Sequence, residues 1–600
     1  MKERKDIDQK YKWDLTKIYP DEAAFKAEFE EAEALIKAFP KHEKEMCKSA
    51  SALLAAIKDS LALAEKVNKL WSFAHLTFAT DTSNNSAQAR EGRVRSLAAA
   101  ADAASWFVSP YLLRLDEKTV EEWFKVEPEL ENYRRMIHKV MREKPYTLSD
   151  ECEKLLAGMG DCLNSHEGIR GIFANSDLQF GRIRDENGEL FQLTDVNYVP
   201  TLMKNDRRVR RSAFVTLYKT YEQFGNTFAT TYEGYVKERC TLAKLRGYKS
   251  SLEASVFADE VTPKIYNSLI KSVRGSLPVI HDYYELKREV LGVEKLHMYD
   301  VYAPLVSECE SEYTYEEAVD EVLDAVKVLG DEYYNTLSDG LKVRGWVDVY
   351  PSKGKQGGAF SASCPSTEPY ILLNFADSLE DVSILAHEAG HSMHSYFSTK
   401  YNPAHEARYT IFVAEVASTV NELLLAHKKL AECESDDEKL SILNGLMETY
   451  KGTLYRQTMF AEFEKNAHAL IEKGEPLTAE VISNMYMKLI RAYFGPKVVK
   501  DKQIAYEWMR IPHFYYNFYV YKYATCISAA SAIVKRIETE GEAYVGKYID
   551  FLKCGDSKSP IDSLLVAGID MTDPSVIDGA IEDFASAIAQ FREIYKRKAK

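Results

Sequence analysis

The chain has 600 residues and a formal net charge of −15. This length suffices for more than one domain or lobe, and a content of 46% hydrophobic and 28% charged residues is that of an ordinary globular protein. The acidic balance disfavours a nucleic-acid partner, because binding to phosphates needs a basic surface that displaces counterions.

Most of the chain is predicted to be helical. In residues 21–39, apolar side chains recur every three or four positions, and the pattern stops before Pro40. Residues 49–77, 85–115 and 207–244 show the same periodicity and predict three further long helices. Only 28 glycines occur, which favours long helices over an architecture of sheets and turns.

Two segments break the helical pattern and predict β-structure. In residues 178–194, short alternating runs flank Asn187 and Gly188, and Asn-Gly between such runs is a strong hairpin signal. Residues 343–375 contain an alternating run, a glycine-rich stretch at positions 354–358 and an apolar run. We expect this second segment to form a small sheet just before the next helix.

Residues 381–397 are predicted to form that helix. Ser378 and Asp381 have the spacing of a capping box at its start, with an acidic residue in the last position of the box. Gly390 lies inside the helix, where a glycine is unfavourable. Close packing against another element would explain why the sequence tolerates a glycine there.

The same helix carries the motif of a metal site. His387 and His391 are four residues apart, so both imidazoles lie on one helical face. Two imidazoles one turn apart can bind a single tetrahedral zinc ion. Glu388 follows the first histidine and is in position to act as general base towards a metal-activated water molecule.

The third protein ligand decides the class of this site. The metzincin pattern requires a glycine and a histidine where this chain has His394 and Phe397, so that class is excluded. Glu415 is favoured instead, because it lies in an apolar, helix-like stretch where a carboxylate needs a partner. Glu422, two turns later on the same face, is either a rival ligand or a supporting residue. Glu406 is a weaker candidate in a loop-like context.

Residues 511–523 are rich in tyrosine. If this segment is helical, Tyr516, Tyr519 and Tyr523 line one face at spacings of three and four. One interpretation is an aromatic core stripe. The other is an active site, because so many hydroxyls beside His513 would need partners when buried and can donate to an oxyanion. The residues alone favour neither interpretation.

Cysteine usage and hydropathy predict a cytoplasmic protein. Nine cysteines are scattered with no pair at Cys-x-x-Cys spacing, which is typical of reduced thiols in a cytosolic protein. The first residues lead into no apolar segment of the signal-peptide kind. No run of about 18 apolar residues occurs, so we expect no membrane partner. The oligomeric state is not predicted.

Together these motifs resemble the oligoendopeptidase F group of the thimet-type oligopeptidase family of zinc metallopeptidases. The resemblance runs nearly end to end, from Trp13 and its neighbours to the sequence GDSKSP at 555–560. The zinc motif alone is shared by many families. Its combination with FVAEVAS at 412–418 and with residues 513–523 is much more specific.

The resemblance implies a mainly α fold: a two-lobed helical body with a deep central channel and a small β-sheet beside the zinc helix. A helical N-terminal lobe (1–200) would end near the hairpin, and a catalytic metallopeptidase domain (201–600) would follow. A buried site of this kind admits flexible peptides and excludes folded proteins, so the implied substrates are oligopeptides.

The resemblance also implies roles for residues of the metal site and the tyrosine-rich segment. His387, His391 and Glu415 match the ligands of one Zn²⁺ per chain, and Glu388 matches the catalytic base. His513 matches a histidine that stabilises the transition state, and Tyr523 matches a catalytic tyrosine. Tyr516 is the second choice for that tyrosine, and Tyr519 the third.

The implied substrate-binding residues lie in the small sheet. Residues 370–374, with Tyr370 and Asn374 at their ends, resemble an edge strand along which the substrate backbone lies. Gly357 and Gly358 would let the backbone approach the substrate closely.

The resemblance therefore implies a zinc-dependent endopeptidase that hydrolyses internal bonds of short oligopeptides by a metal-activated water. A carboxypeptidase or dipeptidyl carboxypeptidase of the same fold is a neighbouring alternative. An inactive peptide-binding protein and a non-proteolytic zinc enzyme are alternatives from other classes.

Overall fold

The fold is mainly α, as predicted: helices account for 72% of the chain and strands for 3%. A computed structural model describes residues 2–306 and 312–598. Within them, no helix is both long enough and apolar enough to cross a membrane. The helices are α1 (Glu22–Ala38), α2 (Ala50–Thr80), α3 (Asn85–Ser105), α4 (Val108–Arg114), α5 (Glu117–Val126), α6 (Arg134–Met141), α7 (Asp150–Gly158), α8 (Gly160–Leu163), α9 (Ser165–Ile172), α10 (Asp195–Leu202), α11 (Arg207–Gln223), α12 (Gly225–Leu245), α13 (Ser251–Ala258), α14 (Pro263–Gly275), α15 (Leu277–Val290), α16 (Tyr315–Val326), α17 (Asp331–Lys342), α18 (Leu379–Tyr401), α19 (Ile411–Glu432), α20 (Asp436–Thr449), α21 (Gln457–Glu472), α22 (Ala479–Phe494), α23 (Tyr521–Glu540), α24 (Glu542–Leu552), α25 (Pro560–Val566) and α26 (Ser575–Lys598).

Short strands form three small sheets in the described residues. The strands are β1 (Arg182–Arg184), β2 (Leu190–Gln192), β3 (Leu296–His297), β4 (Val347–Asp348), β5 (Phe360–Ala362), β6 (Tyr370–Leu372) and β7 (Val498–Val499). Strands β1 and β2 form the predicted antiparallel hairpin around Gly188, whose φ of +84° suits a glycine. Strands β3 and β7 pair in parallel. The predicted sheet in residues 343–375 is also present, with the strand order β4-β6-β5.

Two of the predicted long helices are each broken in two. The break between α3 and α4 falls at Trp106, because Pro110 has no N–H to donate to the carbonyl four residues earlier and its ring clashes with that carbonyl. The break between α11 and α12 falls at Phe224, just before Gly225, a poor helix former. The continuous helices predicted over residues 85–115 and 207–244 are therefore wrong.

The chain divides into two compact units, each built from three segments. Unit 1 consists of Met1–Thr147, Ser311–Leu425 and Ile533–Gly568. Unit 2 consists of Leu148–Glu310, Ala426–Ala532 and Ile569–Lys600. The domain boundary near residue 200 stays a prediction. The cysteines that the structure describes are free thiols, as predicted, and Cys309 lies outside the described residues.

In unit 1, helices α1 to α3 pack on one face of the β4-β6-β5 sheet. Tyr370 and Leu372 of β6 are fully buried in the same apolar cluster as Trp13, Phe25 of α1 and Leu70 of α2. Since the side chains of a strand alternate between faces, the intervening residues of the sheet point the other way. That opposite face is where α18 lies.

The contact between the sheet and α18 is polar at one point. Ser361 of β5 and Ser392 of α18 form a hydrogen bond of 2.9 Å between their hydroxyl groups. The apolar cluster thus fixes the sheet from one side, and α18 is held against the other. Strand β5 and the metal helix are direct neighbours.

Candidate metal centre

Helix α18 begins with the predicted capping box. The backbone N–H of Asp381 donates to Ser378 Oγ at 3.2 Å, and the backbone N–H of Ser378 donates to Asp381 Oδ2 at 3.0 Å. These two bonds satisfy N–H groups that have no partner within the helix. The start of α18 is therefore fixed two turns before His387.

Gly390 explains how α18 and α19 come together. A Cβ atom at position 390 would lie 2.5 Å from the Ala417 carbonyl oxygen and 2.6 Å from Ser418 Cα, closer than such atoms can approach. The two helices therefore touch backbone to backbone, and the predicted close packing is present. This contact brings Glu415, one turn before Ser418, towards the histidines of α18.

The side chains of His387, His391 and Glu415 converge, and we call them the ligand cluster. The two Nε2 atoms are 3.1 Å apart. Glu415 Oε2 lies 3.3 Å from the Nε2 atom of His387 and 3.4 Å from that of His391. Each residue thus offers one donor atom, and all three atoms lie within 4.8 Å of one another. Glu406, the weaker candidate, is not part of this group.

Glu422 lies on the other side of His387. Its carboxylate accepts a hydrogen bond from His387 Nδ1, the ring nitrogen that does not face the ligand cluster. A carboxylate at Nδ1 fixes the ring orientation and keeps a proton on Nδ1, so that Nε2 faces the cluster and is the nitrogen that gives up its proton to bind a metal. This geometry favours Glu422 as a residue that orients His387 over Glu422 as a rival metal ligand.

The donor set fits a divalent cation. Burial opposes the charged form of His387, but hydrogen bonds to Glu415 and Glu422 overcome it and raise the pKa of the imidazole to about 10. Burial likewise opposes ionisation of Glu415, yet the two imidazoles hold the pKa of that carboxyl well below its usual range. The cluster therefore attracts positive charge, and two imidazoles with one carboxylate are ligands that zinc accepts.

Glu388 is buried immediately beside the ligand cluster. Only 6% of its surface is exposed, and its Oε2 atom is buried without a hydrogen-bond partner among the described residues. Burial raises the pKa of its carboxyl above the usual value, although the two histidines oppose the shift. A carboxyl group that has a raised pKa and one oxygen without a hydrogen-bond partner is suited to proton transfer.

His394 packs rather than joining the ligand cluster. Its ring stacks on Tyr409 with a centroid distance of 3.7 Å and an interplanar angle of 3°. The residue is fully buried, and burial lowers the pKa of the imidazole to about 3. His394 is therefore neutral, as expected of a packing residue.

The predicted edge strand is wrong. Strand β6 lies in the centre of its sheet, with β4 on one side and β5 on the other. Tyr370 is fully buried, and its hydroxyl donates to the Asp14 carbonyl at 2.9 Å, so its side chain has no surface to offer a substrate. The apolar run of β6 is typical of a strand buried on both faces, so the edge that the resemblance implies lies elsewhere in this sheet. Within the described residues, β5 is paired on one side only.

Asn374 holds the glycine-rich loop beside this sheet. Its Nδ2 donates to the carbonyls of Gln356 at 2.9 Å and Gly358 at 2.8 Å. Gly357 and Gly358 are exposed, and Gly358 has a φ of +80° that favours glycine. Contact of these three residues with a substrate stays a prediction.

The tyrosine-rich segment belongs to unit 2 and is not one helix. A short 3₁₀-helix covers Pro512–Tyr515, and α23 begins only at Tyr521. Between them, Asn517 and Phe518 adopt left-handed backbone conformations, with φ of +50° and +58°. The prediction that the tyrosines line one helical face is therefore wrong.

The structure nevertheless brings four rings of this segment together, and we call them the aromatic cluster. The ring centroid of His513 lies 5.4 Å from that of Tyr516, 6.3 Å from Tyr519 and 6.2 Å from Tyr523. Tyr519 is 5.4 Å from Tyr523. Burial lowers the pKa of the His513 imidazole, helped by the charge of Arg170, so the ring is neutral near pH 7.

The sequence did not reveal two hydrogen bonds of this segment, one buried and one partly buried. The N–H of Phe518 donates to Glu464 Oε1 at 2.6 Å, and Ser255 Oγ donates to the Asn517 carbonyl at 2.6 Å. The available signal was a carboxylate on the apolar face of α21, where Glu464 lies one turn from Phe460 and from Ala467. It did not indicate which backbone group the carboxylate would bind.

The chain is similar to known peptidases. The model of Peptidase family M3 matches residues 201–583, and that of Oligopeptidase F matches residues 112–180. Oligopeptidase PepF of Bacillus subtilis (strain 168) is 39% identical over 99% of this chain and 88% of its own length. An oligoendopeptidase F homolog of Borreliella burgdorferi is 36% identical over 99% of this chain and 100% of its own length. The crystal structure of oligoendopeptidase-F from Enterococcus faecium has a TM-score of 0.75 and 36% identity, and covers 96% of this chain and 99% of that one.

Proposed function

The chain belongs to peptidase family M3 and is a metalloendopeptidase, and we propose that it uses zinc to hydrolyse internal bonds of short oligopeptides. The observation that carries the proposal is the ligand cluster, in which three donor atoms lie within 4.8 Å of one another next to the buried Glu388. The names of the relatives support oligopeptides as the substrate class.

We assign the binding of one Zn²⁺ to His387, His391 and Glu415. The bound metal supplies Lewis-acid polarisation of the scissile carbonyl and of the attacking water. Glu422 keeps His387 in the tautomer that directs Nε2 into the cluster. The packing at Gly390 fixes the distance between the two helices that carry the ligands.

Glu388 is the proposed general base and acid. Its carboxylate accepts a proton from the attacking water and later donates that proton to the leaving amine nitrogen. Burial raises the pKa of the carboxyl towards the range in which it can exchange a proton near neutral pH. The position of Glu388 on α18, directly after His387, keeps the carboxylate beside the ligand cluster during both transfers.

The open edge of β5 is the proposed binding site for the substrate backbone. A strand edge offers N–H and C=O groups that pair with an extended peptide and are indifferent to its side chains. Ser361 of β5 is hydrogen-bonded to Ser392 on the metal helix, which would place a peptide on this edge close to α18. Gly357, Gly358 and Asn374 are proposed to bound the same surface.

We further propose that His513 and Tyr523 stabilise the oxyanion formed when water attacks the carbonyl. A neutral imidazole and a phenol are both hydrogen-bond donors, and fixed donors of this kind stabilise developing negative charge. Tyr516 is the next candidate donor, and Tyr519 is assigned to substrate binding. The mutual proximity of these rings supports a shared role.

The proposal is tested with an internally quenched fluorescent peptide, metal analysis and mass spectrometry of the products. We expect about one zinc per chain, loss of cleavage on chelation, recovery with added Zn²⁺, and cuts at internal bonds. Cuts confined to the C-terminal end would support a carboxypeptidase instead. A purified protein with full zinc content and no cleavage of any peptide in a random library would contradict a peptidase function.

A further inference from the structure

The turn between the two halves of the aromatic cluster has a strained backbone. Asn517 and Phe518 are consecutive and both adopt positive φ values, +50° and +58°. The left-handed region is unfavourable for residues with a side chain, and most of all for a bulky one such as phenylalanine. Such conformations persist only where the surroundings fix them, and they concentrate at functional sites.

This turn sets the relative positions of the rings. His513 and Tyr516 precede it in the chain, whereas Tyr519 and Tyr523 follow it. Ring pairs across the turn lie close, at 6.3 Å for Tyr516 and Tyr519 and 6.2 Å for His513 and Tyr523. Any relaxation of the two strained residues would therefore move one half of the aromatic cluster relative to the other.

Two side chains from outside the segment hold the strained backbone. Glu464 of α21 accepts the N–H of Phe518 at 2.6 Å, and Ser255 of α13 donates to the carbonyl of Asn517 at 2.6 Å. The Phe518 ring is fully buried and lies 4.4 Å from the His468 ring, one helical turn after Glu464. Both strained residues are thus fixed through their own backbone groups.

Glu464 serves as a neutral acceptor in this arrangement. The residue is fully buried, no basic side chain contacts it among the described residues, and burial raises the pKa of its carboxyl to about 8. A protonated carboxyl still offers a carbonyl oxygen, and an amide offers the same oxygen in the same place. Glutamine at position 464 should therefore still accept the Phe518 N–H, whereas leucine, of similar size, cannot accept it.

We propose that Glu464 is a positioning residue that holds the Asn517–Phe518 turn and so aligns His513 and Tyr516 with Tyr519 and Tyr523. The inference rests on the proposed role of His513 and Tyr523 in stabilising the oxyanion. Its physical basis is that a buried N–H without an acceptor is costly, so loss of the Glu464 carbonyl oxygen favours a turn in which Phe518 N–H finds another partner.

The test compares Glu464→Leu with Glu464→Gln in the zinc-loaded full chain. For Glu464→Leu we expect kcat to fall by about tenfold or more, with unchanged zinc content and faster amide exchange in peptides spanning residues 513–523. Glu464→Gln should restore both kcat and exchange protection. This rescue separates an acceptor role from general destabilisation.

The matched control is Glu472→Leu. Glu472 lies on the same helix and also accepts a backbone N–H, that of Ser251 at 2.7 Å, but it does not contact the turn. Glu472→Leu should leave kcat and exchange in residues 513–523 unchanged. If Glu464→Leu does not fold, Ser255→Ala tests the second anchor and should loosen the same peptides and lower kcat.

Three results would overturn the inference: unchanged exchange in Glu464→Leu, unchanged kcat despite faster exchange, or failure of Glu464→Gln to restore kcat. His513→Gln distinguishes this failure from that of the proposed function. If His513→Gln lowers kcat while a loosened turn does not, only the positioning role of Glu464 is wrong. If His513→Gln also leaves kcat unchanged, the proposed role of His513 in stabilising the oxyanion is itself wrong.

Discussion

The ligand cluster and the aromatic cluster place their functional groups in different ways. The ligand cluster lies on two regular helices, where spacing along α18 aligns two imidazoles and a backbone contact at Gly390 sets the distance to α19. The aromatic cluster lies on a 3₁₀-helix, a strained turn and the start of α23, and it depends on anchors contributed by α13 and α21. The first region is fixed by its own secondary structure, whereas the second is fixed by its surroundings.

This difference has a consequence for mutations. A side chain on a regular helix can be exchanged without moving its neighbours, because the main-chain hydrogen bonds of the helix remain. In the aromatic cluster, the backbone conformation depends on hydrogen bonds to the side chains of Glu464 and Ser255. A substitution far away in the sequence therefore moves the aromatic rings. The following predictions test this contrast: those on activity and metal binding come first, in order of decreasing effect, and one on stability follows.

The largest effect is expected for Glu388→Gln. The variant should lower kcat by about 10³-fold, since a general base contributes about 10²–10⁴-fold to such a reaction. Because α18 keeps its conformation, zinc content and the thermal unfolding midpoint should stay close to those of the wild type. Turnover near the wild-type rate would contradict the assignment of Glu388 as the base. Loss of zinc would contradict the expectation that α18 keeps its conformation without this carboxylate.

Removal of one hydroxyl from the aromatic cluster should have a smaller effect. We expect Tyr523→Phe to lower kcat by about 10–100-fold, because it deletes the proposed donor to the oxyanion and retains the ring. Tyr516→Phe is the matched comparison and should lower kcat less, as Tyr516 is 40% exposed. Steady-state kinetics on one peptide measure both. A larger loss in Tyr516→Phe would reverse the ranking of the tyrosines.

Glu422→Gln should weaken zinc binding about tenfold, the lower end of what loss of a partner to a metal-binding histidine costs. The glutamine can still accept a bond from His387 Nδ1, but it carries no charge. Glu415→Gln, which changes the proposed ligand itself, should weaken binding much more. Competition against a fluorescent chelator measures both affinities, and equal losses would argue that Glu422 also binds the metal.

The last prediction concerns stability, which we expect to depend on pH. The pKa of Glu464 is raised from 4.5 to about 8 by burial, so between these values the folded state holds a proton that the unfolded state releases. The contribution of this group is fully present below pH 4.5 and is lost as the pH rises through 8, so the free energy of unfolding falls across that window.

In Glu464→Gln this loss is absent, and the variant should gain stability relative to the wild type as the pH rises from about 5 to 8. The gain should be on the order of a few kcal/mol, given about 1.4 kcal/mol per pKa unit. Urea denaturation at several pH values measures it, with Glu472→Gln as the control from the same helix. A stability difference that does not change with pH would mean that Glu464 is ionised in the folded protein.

The contrast also explains how much the sequence predicted. The capping box at Ser378, the shared face of His387 and His391, and the close packing at Gly390 follow from helix geometry, which depends only on nearby residues. The third ligand had to come from elsewhere in the chain, and the apolar surroundings of Glu415 indicated that residue.

The failures have non-local causes. Asn517 and Phe518 carry no local signal for left-handed conformations, because those conformations are imposed by Glu464 and Ser255, which are distant in sequence. The resemblance implies an edge strand at Tyr370, whereas the observed strand order depends on tertiary pairing, which the local sequence does not specify. The apolar run of β6 indicates that both faces of the strand are buried, but it does not give the order of the strands.

The backbone contact at Gly390 also limits how the metal preference of the enzyme can be engineered. The gap between α18 and α19 is set by main-chain atoms, with only 2.5 Å available between a Cβ at position 390 and the Ala417 carbonyl. Exchanging ligand side chains can therefore alter the donor chemistry, whereas any side chain at position 390 would push α18 and α19 apart and carry Glu415 away from the two histidines. A library designed to change the metal should hold position 390 as glycine and vary position 415.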